Sequence, residues 1–258
     1  MSQQHLEFVE SDDIVTLTLQ RPPVNAFNTA LIRELSEFIE TIKNSEAYRA
    51  VILTGDGEYF SAGADLKERR QMSEAEVREF IDLIRDTFHR WYGINIPTIC
   101  AMNGGAYGGG LELALMSDFR LLADDAEVGL RETRLGIIPG AGGTQRLARL
   151  IGEAKALEWI LPGVTHPAEK AMGDGVVNRL ATRGEVLAQA EDLAQEIKEA
   201  APIAVRAAKQ AIREGLELPF EDALQFETRC YEQTIPTRDR REALRAFEEK
   251  RQPQWKGE

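Results

Sequence analysis

Apolar and polar residues alternate with period two over Ile14–Leu19 (IVTLTL), the pattern of a half-buried strand. Arg21–Asn25 (RPPVN) ends it, because consecutive prolines cannot donate ladder hydrogen bonds. The period then changes. Leu31, Leu35, Phe38, Ile39 and Ile42 recur at helical spacing behind Asn28, which can cap a helix running to about Asn44. Ala50–Leu53 (AVIL) is continuously apolar, as in strands covered on both faces. Gly55–Gly57 turns the chain. Phe60–Lys67 is a loop made almost wholly of small residues. Ser73 and Glu76 form a capping box for a helix ending near Tyr92, with Val77, Phe80, Ile81, Ile84, Phe88 and Trp91 on one face.

Pro97 precedes a strand at Thr98–Met102, and the glycine-rich stretch Gly104–Gly110 follows it. Leu111–Met116 reads as a buried helix, Phe119–Ala123 and a segment near Val128 as strands. Helices are expected at Thr144–Leu150, Ala154–Leu161 and Ala168–Gly173, and a strand at Val176–Leu180. From Val186 onward the pattern is almost entirely helical: Val186–Ala200, Ile203–Gly215, Phe220–Gln233 and Arg238–Arg251, separated by Pro202, Pro219 and Pro236. Strands and helices alternate up to about residue 180 and a helical tail follows, which predicts an α/β core with a helical C-terminal part; the division is drawn at residues 1–200 and 201–258.

The chain of 258 residues is 43% hydrophobic and 29% charged, a globular composition. Its net charge of −12 argues against broad binding to nucleic acid or anionic membranes, though not against one local basic pocket. The two cysteines, Cys100 and Cys230, fall in an apolar run and a helical stretch, as packed reduced thiols do. Met1–Asp13 is polar and acidic, without a signal core, and no apolar run approaches a membrane span. A cytoplasmic location is the default expectation.

The glycine loops narrow the chemistry. Loops without Cβ atoms admit a ligand close to the backbone, and a helix beginning behind one offers free N–H groups. Gly63-Ala64 and Gly108–Gly110 both have this character, although tight packing of strands explains either alone. Neither Gly104–Gly110 nor Gly140–Gly143 has phosphate-loop or dinucleotide spacing. Glu112 lies among Leu111, Leu113, Ala114 and Leu115, where a carboxylate should have a raised pKa unless paired; Arg120 and Arg134 are the candidate partners. Glu132 is flanked by Arg131 and Arg134, and spacing alone leaves it an ordinary surface ion pair. His5, His89 and His166 are too dispersed for a triad or a metal site.

Phe60–Asp65 (FSAGAD), Asn103–Ala114 (NGGAYGGGLELA) and Gly136–Arg146 (GIIPGAGGTQR), in this order, resemble the crotonase, or enoyl-CoA hydratase/isomerase, family. Ala64–Arg69 (ADLKER), Glu132–Leu135 (ETRL) and Gln233–Arg240 (QTIPTRDR) resemble its methylglutaconyl-CoA hydratase branch. The resemblance implies a spiral of ββα repeats with a C-terminal helical trimerisation region, and trimers that often pair into hexamers. It implies reversible syn addition of water across the C2=C3 bond of a short-chain 2-enoyl-CoA, as in β-oxidation. The N–H groups of Ala64 and Gly109 would form the oxyanion hole, and Glu112 and Glu132 would be the catalytic acids. Ala62, Asp65, Leu66, Lys67, Tyr107 and Gly108 would contact coenzyme A or the acyl group. Phe247 and Lys250 would add contacts, reaching a neighbouring subunit. No cofactor is implied beyond the coenzyme A of the substrate. Tyr107 is expected to narrow the acyl pocket. Arg131 would either lower the pKa of Glu132 or face solvent.

Two rival functions follow from the same resemblance. 3-Methylglutaconyl-CoA has a second carboxylate, for which Arg69, Arg70, Arg131 and Arg134 are candidate partners. An RNA-binding homologue also exists in that branch. Here the corresponding segment, residues 31–49, has Arg33, Lys43 and Arg49 against Glu34, Glu37, Glu40 and Glu46, which argues against RNA.

Overall fold

A computed structural model describes residues 5–43, 45 and 47–258, so the helix end expected at Asn44, and Glu46, lie outside the described residues. The chain opens with strands β1 (Leu6–Ser11) and β2 (Ile14–Leu19), paired antiparallel. β1 was not expected, because its sequence LEFVES exposes every residue after Leu6 and so lacks a buried stripe. Helix α1 (Thr29–Lys43) buries the five positions anticipated for it and also Ile32.

The chain then crosses repeatedly between two layers. β3 (Ala50–Gly55) is followed by β4 (Tyr59–Ser61), α2 (Leu66–Arg69) and α3 (Glu74–Tyr92). β5 (Thr98–Met102) is followed by β6 (Gly105–Tyr107) and α4 (Gly109–Leu115). β7 (Phe119–Ala123) is followed by β8 (Glu127–Gly129) and a 3₁₀ turn, Glu132–Leu135. In each turn of this spiral the first strand joins one sheet and the second joins another. Helices α5 (Gly143–Ile151) and α6 (Glu153–Ile160), strand β9 (His166–Pro167), helix α7 (Ala168–Gly173) and strand β10 (Arg179–Ala181) close it. The larger sheet has the order β1-β2-β3-β5-β7-β10, parallel from β2 onward; the smaller is β4-β6-β8-β9. The ββα spiral is therefore present. β4 and β6 are only three residues long, too short to show a period of their own, which is why the pattern of the sequence hid them inside loops.

β3 and β5 are buried at every position, consistent with their continuous apolar sequences. The Ser73–Glu76 capping box forms with both reciprocal bonds. β10 begins three residues later than the strand expected from Val176, because Val176 and Val177 instead bond back to Ala171 at the end of α7. Helices α8 (Val186–Lys198), α9 (Pro202–Gly215), α10 (Phe220–Glu232) and α11 (Arg238–Glu249) complete the chain. α8 covers the large sheet, whereas α9 and α10 pack on one another. No helix is long and apolar enough to cross a membrane among the described residues.

Candidate active site

Two glycine turns bring two backbone N–H groups together. Gly63 has φ +81° and Gly108 has φ +51°, a region that favours glycine. A Cβ on Gly63 would stand 2.9 Å from the nitrogen of Gly109, and one on Gly109 would stand 3.7 Å from the nitrogen of Ala64. Ala64 pairs with Phe27 in an isolated parallel bridge. In it Phe27 donates to Gly63 O at 2.7 Å and Asp65 donates to Phe27 O at 2.9 Å, which leaves the Ala64 N–H on the other edge. Gly109 is the first residue of α4, so its N–H has no acceptor within the helix. Neither N–H donates a hydrogen bond among the described residues. Both residues border a cavity of about 370 Å³ that Glu112 and Glu132 also line.

Glu112, on the first turns of α4, is 3% exposed. Its Oε1 accepts the N–H of Ala141 at 2.9 Å and of Gly143 at 2.8 Å. Gly143 opens α5 behind Gly142 (φ +108°), so the second glycine cluster turns free helix-start donors onto the carboxylate. Burial, and then the charge of Glu132, push the Glu112 pKa up to about 7 against these two donors. The expected guanidinium partners are occupied elsewhere: Arg120 donates to Val176 O and Ser117 O, and Arg134 to Pro162 O. The missed signal was the helix start at Gly143, where free N–H groups meet the need of a buried acid.

Glu132 opens the 3₁₀ turn and is 8% exposed. Its Oε1 would meet a Cβ on Gly108 at 2.8 Å, at a position whose φ of +51° already favours glycine. Its Oε2 is buried and has no hydrogen-bond partner among the described residues. Burial raises its pKa; its own backbone N–H and the charge of Arg69 oppose the rise. Arg69, rather than Arg131, is thus the guanidinium that acts on this acid. Arg131 is exposed at the cavity rim.

The other expected contacts divide. Ala62, Leu66, Tyr107 and Gly108 line the same cavity as the acids and the two N–H groups. Tyr107 folds back over Gly105, with its hydroxyl 2.6 Å from where a Gly105 Cβ would be, and tilts against Tyr59 at 6.4 Å. The Asp65 side chain is engaged within the loop. It caps α2 by accepting from Lys67 N and Glu68 N, and it pairs with Arg21 at 2.6 Å. Lys67 is exposed beside it. Phe247 and Lys250 lie on α11 and at its C-cap, outside the cavity of the same chain. No group of three or more His, Cys, Asp or Glu could hold a metal ion among the described residues.

The family model for enoyl-CoA hydratase/isomerase matches residues 10–258. The chain belongs to the enoyl-CoA hydratase/isomerase family. It is 42% identical over 261 residues to human methylglutaconyl-CoA hydratase, mitochondrial, covering 99% of this chain and 77% of that protein. It is 41% identical over 273 residues to the enoyl-CoA isomerase/hydratase fer4 of Mycosarcoma maydis, with 100% of both chains covered. The crystal structure of enoyl-CoA hydratase from Bacillus anthracis superposes with a TM-score of 0.97 at 43% identity, covering 99% of this chain and 100% of that one. In this family, which acts on coenzyme A thioesters, the cavity described above is the candidate active site.

Proposed function

We propose that the protein hydrates short-chain 2-enoyl-CoA thioesters at this cavity. The observation that carries the reading is the convergence of two unpaired backbone N–H groups, Ala64 and Gly109, with two buried glutamates around one cavity. The N–H pair would receive the thioester oxygen as it gains negative charge; one such donor is worth roughly 3–4 kcal/mol of barrier. Glu112 and Glu132 would hold one water between them. Its oxygen adds to C3, one of its protons passes to a glutamate, and a glutamate proton passes to C2. The raised pKa values of both acids support this exchange near neutral pH. The addition written this way needs no cofactor besides the coenzyme A of the substrate.

A specific observation favours a second substrate in the same reaction. Arg69 and Arg131 both line the cavity, and neither forms an ion pair within 4 Å among the described residues. Two free guanidiniums suit an acyl group with a second carboxylate, such as 3-methylglutaconyl-CoA. We also assign the exposed apolar side chains of the C-terminal helices, including Ile212, Leu216, Phe220 and Tyr231, to contacts between subunits of a trimer.

The test follows loss of enoyl thioester absorbance with crotonyl-CoA and with 3-methylglutaconyl-CoA, for wild type and for Glu112→Gln and Glu132→Gln. Each variant should lose roughly 10²–10⁴-fold in kcat with substrate binding kept. Hydration by either variant at the wild-type rate would refute the two-acid reading. Isomerisation of a 3-enoyl-CoA without hydration would place the protein among the isomerases of the family instead.

A further inference from the structure

The C-terminal end of α4, about one turn beyond Glu112, is held by a concentration of cations. Arg146 Nε donates to Leu115 O at 3.4 Å, Arg213 to Met116 O at 3.2 Å, and Arg120 to Ser117 O at 2.7 Å. Arg213 on α9 also pairs with Asp118 at 2.8 Å, which Lys209 contacts at 2.6 Å. Tyr92, the last residue of α3, joins two of these groups. The Arg213 guanidinium lies 3.8 Å from its ring centroid and that of Arg146 4.4 Å, with Arg146 donating to its hydroxyl at 3.3 Å.

Arg146 stands one turn beyond Gly143 on α5. The two helices therefore meet at two points: Gly143 N on Glu112 at the start of α4, and Arg146 on Leu115 O at its end. Two fixed points define the register of one short helix on another.

We propose that Arg146, stacked on Tyr92 beside Arg213, is a positioning residue for Glu112: it pins α5 to α4 and so holds the Ala141 and Gly143 N–H groups on the Glu112 carboxylate. The proposal rests on the reading of Glu112 as a reacting acid. It also makes the active site depend on the docking of α9, which brings Arg213 to the same ring. The titratable group facing Glu112 is Glu132, while Arg146 faces Arg120, Arg213 and the Tyr92 hydroxyl.

The experiment compares Arg146→Met, Arg146→Lys and Arg149→Met with wild type. It measures kcat and KM for crotonyl-CoA and, in the substrate-free protein, the titration of the Glu112 carboxyl by carbon-13 NMR. Arg146→Met should lower kcat roughly ten- to a hundredfold, with KM changing less, since a small misplacement is enough to cost that much. Its Glu112 titration should move to higher pH as the two N–H donors loosen. Arg146→Lys keeps the charge and a donor but not the stack, so it should fall between; it decides alone if Arg146→Met does not fold. Arg149→Met, about one turn along α5 from the clamp and paired with Gln145 and Glu217, should leave both readouts unchanged. A lowered Tm with an unmoved Glu112 titration in the Arg146 variants would overturn the proposal. If wild type hydrates no enoyl thioester, the functional reading fails while the NMR titration still decides the clamp.

Discussion

Gly143 donates its backbone N–H to the Oε1 of Glu112 at 2.8 Å, so the first residue of one helix grips an acid on another. The same oxygen accepts from Ala141, and the side chain is buried except where it borders the cavity. Two donors are too few to offset that burial together with the charge of Glu132, and the acid is left with a pKa of about 7.

That arrangement makes Glu112 costly to the fold. Its folded-state pKa of about 7 lies above the ordinary 4.5, so the folded chain binds more protons than the unfolded chain between these values. Stability must therefore fall as pH rises through this window, by at most about 3 kcal/mol from this group. Glu112→Gln keeps an oxygen for the Ala141 and Gly143 N–H groups and removes the charge. It should be more stable than wild type at pH 8, and the gain should vanish below pH 4.5. Urea unfolding at pH 4, 6 and 8 measures this. An equal difference at all three values would contradict the burial argument.

The legibility of these features in the sequence differed for a physical reason. Glu112 announced itself because its neighbours are all apolar, and local sequence is enough to signal burial in a helix. Glu132 did not, because Arg131 and Arg134 flank it and its burial comes from the distant Gly108 turn. The free N–H groups at Ala64 and Gly109 depend on a parallel bridge to Phe27 and on the approach of two loops, neither of which spacing records. Long helices with caps, such as α3, were readable in their bounds and cap, although Val77 and Ile81 are only half-buried and Thr87 joins the buried face. Three-residue strands, such as β4 and β6, were not, since their pairing partners and not their own residues define them.

Gly63→Ala should damage the site directly. Its φ of +81° disfavours a side chain, and a Cβ would meet Tyr107 O at 2.6 Å and Gly109 N at 2.9 Å. The two N–H donors would be forced apart. The loss in kcat should reach roughly 10²–10³-fold, comparable to deletion of one oxyanion donor, with a lower Tm in thermal unfolding. Wild-type kcat in this variant would mean that the Ala64 and Gly109 N–H groups do not act together.

Asp65 should matter through its loop. Burial raises its pKa, but the Arg21 guanidinium and the N–H groups of Glu68 and Lys67 outweigh it, leaving the carboxyl below its ordinary value. Asp65→Ala removes the cap of α2 and the anchor to Arg21 next to Ala64, at a cost of about 1 kcal/mol in stability. Because this loop lines the cavity, KM for the enoyl thioester should rise. Arg21→Ala should reproduce the effect, and the double variant should lose little more than either alone. Additive losses would show that the two residues act separately.

Arg69 offers a test of both the acid pair and the acyl preference. Its charge lowers the Glu132 pKa, so Arg69→Met should move the Glu132 titration to higher pH. The limb of the pH–rate profile that reports Glu132 should move with it. If the guanidinium also receives a second substrate carboxylate, the variant should lose more kcat/KM toward 3-methylglutaconyl-CoA than toward crotonyl-CoA. A charge-assisted hydrogen bond of roughly 1.5–3 kcal/mol corresponds to a tenfold or larger change in that ratio. Arg69→Lys separates the contributions, since it keeps the charge near Glu132 but gives up the planar fork that binds carboxylates in pairs. A shifted pH profile with an unchanged substrate ratio would assign Arg69 to Glu132 alone and remove it from acyl recognition.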